Sequence, residues 1–132
     1  MTLVDAIPAL PVRNIGVSAG FYREKLGFAV VYEETGFAVL KRDSVVLHLW
    51  AANDDGWRKR VGSPPVVSGA ETFLAGTASC RIRVAGLDAL HAELSPRGVL
   101  HGNGALTKQW WGDRDFSVVD IDSNLLTFFE PG

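Results

Sequence analysis

Few residues of this 132-residue chain are of types that catalyse, and they are scattered. The histidines are His48, His91 and His101, and the one cysteine is Cys80. His48 stands in an apolar run, Val45-Val-Leu-His48-Leu-Trp50, that reads as a strand. His91 and His101 fall on a helical pattern and in the loop after it, where solvated surface positions are expected. Cys80 lies in another strand-like run and reads as a small core hydrophobe rather than a nucleophile. A single cysteine excludes an internal disulfide and a thiolate zinc site. No Ser/His/Asp elbow and no phosphate loop occur. Asp120 and Asp122, in Asp-Ile-Asp-Ser-Asn, could mimic paired carboxylates, but at a hairpin they read as turn chemistry. What the chain does concentrate is aromatic surface, in Phe37, Trp50, Trp110, Trp111 and Phe116. Aromatic faces hold planar ligands by stacking, at about 0.5–1.5 kcal/mol per pair beyond area burial. Trp110 and Trp111 are adjacent, so in a strand they point to opposite sides, and one of them is expected to reach a ligand or partner.

The elements that position these residues occur twice. Phe37 to Trp50 lies over Phe116 to Phe129, with Val39 on Val118, Asp43-Ser44 on Asp122-Ser123 and Leu47 on Leu126. Each copy reads as strand, Asp-containing turn, strand. Upstream, Ile7 to Val12 lies over Ser79 to Val84, and a helical pattern follows each. The first pattern carries Ile15, Ala19, Tyr22 and Leu26, with Gly27 as its C-terminal cap. The second carries Leu87, Leu90 and Leu94, then Pro96 and Gly98. The chain therefore reads as one α+β domain, 1–132. One module spans about 1–52, a connecting loop about 53–76, and a second module about 77–132. Ser68 to Glu71 in the loop fits a capping box, Arg58-Lys59-Arg60 a solvated basic run, and Trp57 a lid or an anchor.

With the first turn taken as Lys41-Arg42-Asp43-Ser44, Leu40 pairs with Val45 and Phe37 with His48. Alternation then puts Phe37, Val39, Val46, His48 and Trp50 on one face, the cleft side. Ala38, Leu40, Val45, Leu47 and Leu49 take the aliphatic face under the helix. The repeat carries Phe116, Leu125, Thr127 and Phe129 to the cleft side of the second module, with Phe116 and Phe129 also read as core fillers. A one-residue slip exchanges the faces.

Composition narrows the partners. Apolar residues make up 47% and charged residues 21%, and the net charge is −2, so nucleic acid is excluded as a first partner. No apolar run approaches the roughly 18 residues that a membrane helix needs, and residues 1–5 do not form a signal peptide, so a soluble cytoplasmic protein is expected.

Phe21-Tyr22 and Leu26-Gly27-Phe28 at the end of the first helix, Trp111-Gly112 with Phe116, and Val119-Asp120-Ile-Asp122-Ser-Asn124 carry a resemblance. The chain resembles the glyoxalase/bleomycin resistance protein/dioxygenase superfamily, whose fold is called vicinal oxygen chelate. Within it the likeness is nearest to bleomycin resistance proteins. The resemblance implies paired βαβββ modules around a cleft, and a homodimer that exchanges its N-terminal strand near Pro8 or Pro11. Enzymes of the superfamily hold a metal at four strand positions, which here are Ile7, His48, Ser79 and Thr127. Only His48 is a competent ligand, so no metal, no cofactor and no catalytic residue are expected. His48 is read instead as a hydrogen-bonding wall residue.

The resulting expectation is non-catalytic sequestration of a planar, cationic bleomycin-class antibiotic. Its ligand-binding residues are Phe37, His48, Trp50, Trp110, Trp111, Gly112 and Asp113. Phe37 and Trp111 stack the flat part of the drug, and Asp54, Asp55 and Asp113 meet its charge. Gly112 lets another group approach the backbone closely. The alternatives are a metal-dependent lyase, isomerase or dioxygenase of the same superfamily, and a general carrier or sensor of aromatic small molecules.

Overall fold

The structure is a computed structural model that describes residues 1–52, 76 and 78–132. Trp57, Asp54, Asp55, the basic run at 58–60 and the capping box at 68–71 lie outside the described residues.

The first half runs β1 (Ala9–Val12), α1 (Ile15–Leu26), β2 (Ala29–Glu34), β3 (Phe37–Arg42) and β4 (Val45–Ala51). The second runs β5 (Ser79–Arg83), α2 (Leu87–Leu94), a 3-10 turn (Ser95–Arg97), β6 (Thr107–Lys108), β7 (Arg114–Val119) and β8 (Leu125–Glu130). Both halves order their strands alike, β1-β4-β3-β2 and β5-β8-β7-β6, with the first pair parallel and the others antiparallel. This is the duplicated strand-helix-strand architecture that the repeat implies.

Helix α1 starts where Asn14 accepts the Val17 N–H at 2.9 Å, satisfying one orphan donor of the first turn. It ends where Gly27 takes φ 73°, a left-handed conformation that costs a residue without Cβ little. Its Ile15, Ala19, Tyr22 and Leu26 are buried, as their spacing requires.

The first hairpin turns on two residues, Asp43 and Ser44, with Asp43 at φ 52°. The observed register is Leu40 opposite Leu47, Val39 opposite His48 and Phe37 opposite Trp50. The sequence register was two residues out. A shift of two leaves every side chain on its face, so the face assignment survives the error. Ala38, Leu40, Leu47 and Leu49 are fully buried beneath α1.

In the second hairpin the outcome differs. Phe116 pairs with Phe128 and is fully buried with Val118 and Leu126, on the helix side. Ala38 faces Leu49 in the first module, and Phe116 faces Phe128 in the second. The second hairpin therefore holds one residue more between equivalent pairs, and β7 is displaced by one against the repeat. Phe116 is a core residue and not a cleft residue, because the extra turn residue reverses parity on one strand only. Leu125, Thr127 and Phe129 do share the other face.

One apolar cluster spans both sheets, from Leu10 and Leu47 to Leu94 and Phe128. The faces away from the helices carry half-buried side chains such as Phe37, His48, Thr127 and Phe129.

Candidate functional site

On the open face of the first sheet, the Phe37 ring meets His48 edge-on at 4.9 Å between centroids and Trp50 at 5.4 Å. Such edge contacts suit the ring quadrupoles. Trp50 is 43% exposed. The three residues expected together in this module are together. His48, read as a hydrogen-bonding wall residue, has no side-chain hydrogen bond among the described residues. Its ring packs on Phe37, and its backbone N–H donates to the Pro8 carbonyl at 3.0 Å.

Two further residues join this face that alternation did not offer. A bulge at Val31 shifts the β2–β3 register, so Val30 pairs with Leu40 but Tyr32 pairs with Val39 and Glu34 with Phe37. One extra residue turns Tyr32 and Glu34 onto the aromatic face. Tyr32 lies 6.1 Å from Phe37, and its hydroxyl donates to Glu34 at 2.7 Å, a bond that raises the phenol pKa. The sequence signal for them was slight: an aromatic beside a glutamate pair on an edge strand.

In the second module, Trp110 and Trp111 are not strand residues. They are the central pair of a turn closed by the Gly112 N–H to the Gln109 carbonyl at 3.0 Å, with the Gln109 N–H donating to the Asp113 carbonyl at 2.7 Å. Their rings meet at 5.5 Å and 86°. Trp110 is 91% exposed and Trp111 50%. Neither is core, and they do not point to opposite sides of a strand, because a turn does not impose strand alternation. Gly112 has φ 106°, a conformation that favours glycine, and no atom lies near where its Cβ would stand. The positive φ by itself calls for glycine at this position.

Beneath this turn, Arg81 on β5 lies 4.5 Å from the centre of the Phe129 ring. Its guanidinium stands 3.6 Å from Asp113 and 3.8 Å from Asp115. Gln109 Nε2 donates to Asp115 at 2.9 Å.

The four positions where the superfamily's enzymes hold a metal do not fit one. Ile7 offers no donor, and the Thr127 hydroxyl is engaged with Ser117 at 2.8 Å. Among the described residues no group of three or more His, Cys, Asp or Glu could hold a metal ion. Burial, with the Asp120 carboxylate adding, pushes the Cys80 thiol up to about 11, the direction opposite to a nucleophile's. His91 is not simply solvated; its ring packs edge-on against Phe116 at 5.1 Å. Asp120 and Asp122 do shape the turn, but they are also buried and bond the other module.

Phe37 and His48 have no ring contact, hydrogen bond or ion pair with the second module among the described residues. The seam within one chain is built on the helix side, by bonds such as Tyr22 to Asp120 and Arg42 to Glu93.

No described helix is long and apolar enough to cross a membrane. The chain is 54% identical over 128 residues, 97% of both chains, to a bleomycin resistance protein of Geobacillus stearothermophilus, and to one of Staphylococcus aureus at the same level. A bleomycin resistance protein of Klebsiella pneumoniae is 27% identical, over 96% of this chain and 91% of that one. Among solved structures, a bleomycin-binding protein complexed with bleomycin superposes with a TM-score of 0.72 at 26% identity, covering 98% of this chain and all of that one. Residues 6–131 match the family model, and the chain belongs to the Glyoxalase/Bleomycin resistance protein/Dioxygenase superfamily.

Proposed function

We propose that the protein binds a bleomycin-class antibiotic and sequesters it without changing any of its bonds. The observation that carries this reading is end-to-end 54% identity with bleomycin resistance proteins. The donor-poor metal positions agree with it, and so does an aromatic face left open to a planar ligand. Phe37, Trp50 and His48 form one wall, and Trp110, Trp111, Gly112 and Asp113 the other. Tyr32 and Glu34 extend the first.

The working unit of this proposal is a homodimer, in which the first module of one chain faces the second module of its partner. The N-terminal residues support it: Met1, Leu3, Val4 and Ile7 are exposed apolar side chains ahead of β1, and they gain cover if exchanged. A protein that intercepts a drug before it reaches DNA acts in the cytoplasm, as one domain of two modules joined across about 53–76.

Titration of tryptophan fluorescence and heat with bleomycin tests the reading. Saturable binding at one drug per chain is expected, with a mass near twice 14.3 kDa in dilute solution. Trp111→Ala should weaken binding by about 1–3 kcal/mol, as for a lost hot-spot aromatic. A clean monomer that leaves bleomycin unbound sinks the proposal.

A further inference from the structure

Arg81 sits on β5, across β8 from the strand that carries the tryptophan turn. Its side chain crosses the open face at Phe129, whose ring underlies the guanidinium at 4.5 Å. The fork then divides. Nη2 points to Asp113 at 3.6 Å, and Nη1 to Asp115 at 3.8 Å. Asp113 closes the turn that Gln109 opens, and Asp115 holds the Gln109 side chain at 2.9 Å. One planar cation therefore ties both ends of the Trp110–Trp111 turn to the far side of the sheet. A lysine, with one compact charge and no fork, has no equivalent reach to two carboxylates.

We infer that Arg81 is a positioning residue of the drug site, which sets the tryptophan turn and the Asp113 carboxylate over the open face. Asp115 is nearly buried, so the turn is anchored at a fixed point of β7 rather than at a solvated charge. Among the described residues Arg83, two residues on, has no acidic partner, and Arg81 alone bridges β5 to the turn. The inference rests on the proposed antibiotic site.

Charge and positioning predict opposite signs, which makes the test sharp. Removing a cation beside a site for a cationic drug tightens binding if charge alone matters. If Arg81 positions the turn, Arg81→Met weakens calorimetric bleomycin affinity by about tenfold, as for loss of one partner in a close charge pair. Arg81→Lys, which keeps the charge and loses the fork, behaves like Arg81→Met. Both variants melt within about 4 °C of the parent, because the changed side chain is half exposed. The perpendicular Trp110–Trp111 pair couples its transitions, so its signature in far-ultraviolet circular dichroism weakens in both. Unchanged or tighter binding in Arg81→Met overturns the inference, as does full rescue by lysine. If the parent protein itself leaves bleomycin unbound, the antibiotic reading falls. The dichroism then decides alone: a retained indole signature in Arg81→Met refutes the positioning role, and a lost one upholds it.

Discussion

The Asp120–Asn124 turn of the second module packs against β1 and α1, and the Asp43–Ser44 turn of the first faces β5 and α2. The two seams are equivalent by the repeat, yet one is closed by buried polar bonds and the other is half open. In the closed seam, the Tyr22 hydroxyl donates to Asp120 at 2.7 Å, and Asp122 accepts from the Arg13 backbone N–H at 2.8 Å and from the Ser18 hydroxyl. Asn124 donates to the Pro11 carbonyl at 2.8 Å. In the open seam, the counterparts of Asn14, Ser18 and Tyr22 are Gly86, Leu90 and Leu94, which offer no side-chain donor or acceptor. There a cavity of about 730 Å³ remains, lined by Leu26, Phe28, Val45, Ile82, Leu90 and Phe128 among others. Arg42 spans its rim, donating to Glu93 at 2.8 and 2.9 Å and to the Leu26 carbonyl at 2.7 Å. Duplication thus repeats the backbone plan, while side chains decide whether a seam seals. A longer turn with short acidic and amide side chains fills its niche; a two-residue turn does not.

The comparison breaks first at Asp120. Its carboxylate accepts from the Asp122 and Asn124 backbone N–H groups, from Asn124 Nδ2 and from Tyr22. Asp120→Ala should cost about 3 kcal/mol or more in urea denaturation, because several buried donors lose their acceptor at once. A cost below about 1 kcal/mol would mean that the closed seam adds little. Tyr22→Phe removes one of these bonds and keeps the ring, so about 1–2 kcal/mol is expected by the same measurement. Burial, then Asp120 itself, holds the Tyr22 phenol well above its ordinary pKa, so it stays a donor through neutral and mildly alkaline pH.

On the open seam the effects shrink. Arg42→Ala should cost about 0.5–1 kcal/mol, since its ion pair with Glu93 is partly solvated. The Arg42 bond holds the Glu93 carboxyl below its ordinary value of 4.5. A depressed carboxyl stabilises the fold above that value, and the gain is lost as pH falls through the lowered one. The difference in melting temperature between parent and Arg42→Ala should accordingly narrow below about pH 4. Constancy down to pH 2 would contradict the pair.

The smallest effect sharpens the contrast. Ala89 lines the cavity, and its counterpart on the closed seam is the exposed Val17. Ala89→Leu should stabilise by about 0.5 kcal/mol through cavity filling. Val17→Leu should change thermal stability by less than that. Equal effects would show that the seams do not differ in packing.

The chain sequence determined the local features. Alternation separated Phe37, His48 and Trp50 from Ala38, Leu40 and Leu49 even though the register was two residues out, because side-chain parity ignores even shifts. Helix α1 was legible from its period and from Gly27, and the loss of metal ligands from the residue types at four positions. Tertiary structure decided every feature that turns on an odd insertion or a distant partner. The bulge at Val31 moves Tyr32 and Glu34 onto the aromatic face, and one extra turn residue moves Phe116 off it. Asp120 and Asp122 look like turn residues because they are, and the bonds that bury them come from residues 98 to 109 positions away. Arg81 reads as a polar residue on a strand, and only folding lays it across Phe129 toward two carboxylates. Period and propensity are properties of neighbours in sequence, whereas parity across a bulge and pairing across a seam are properties of neighbours in space.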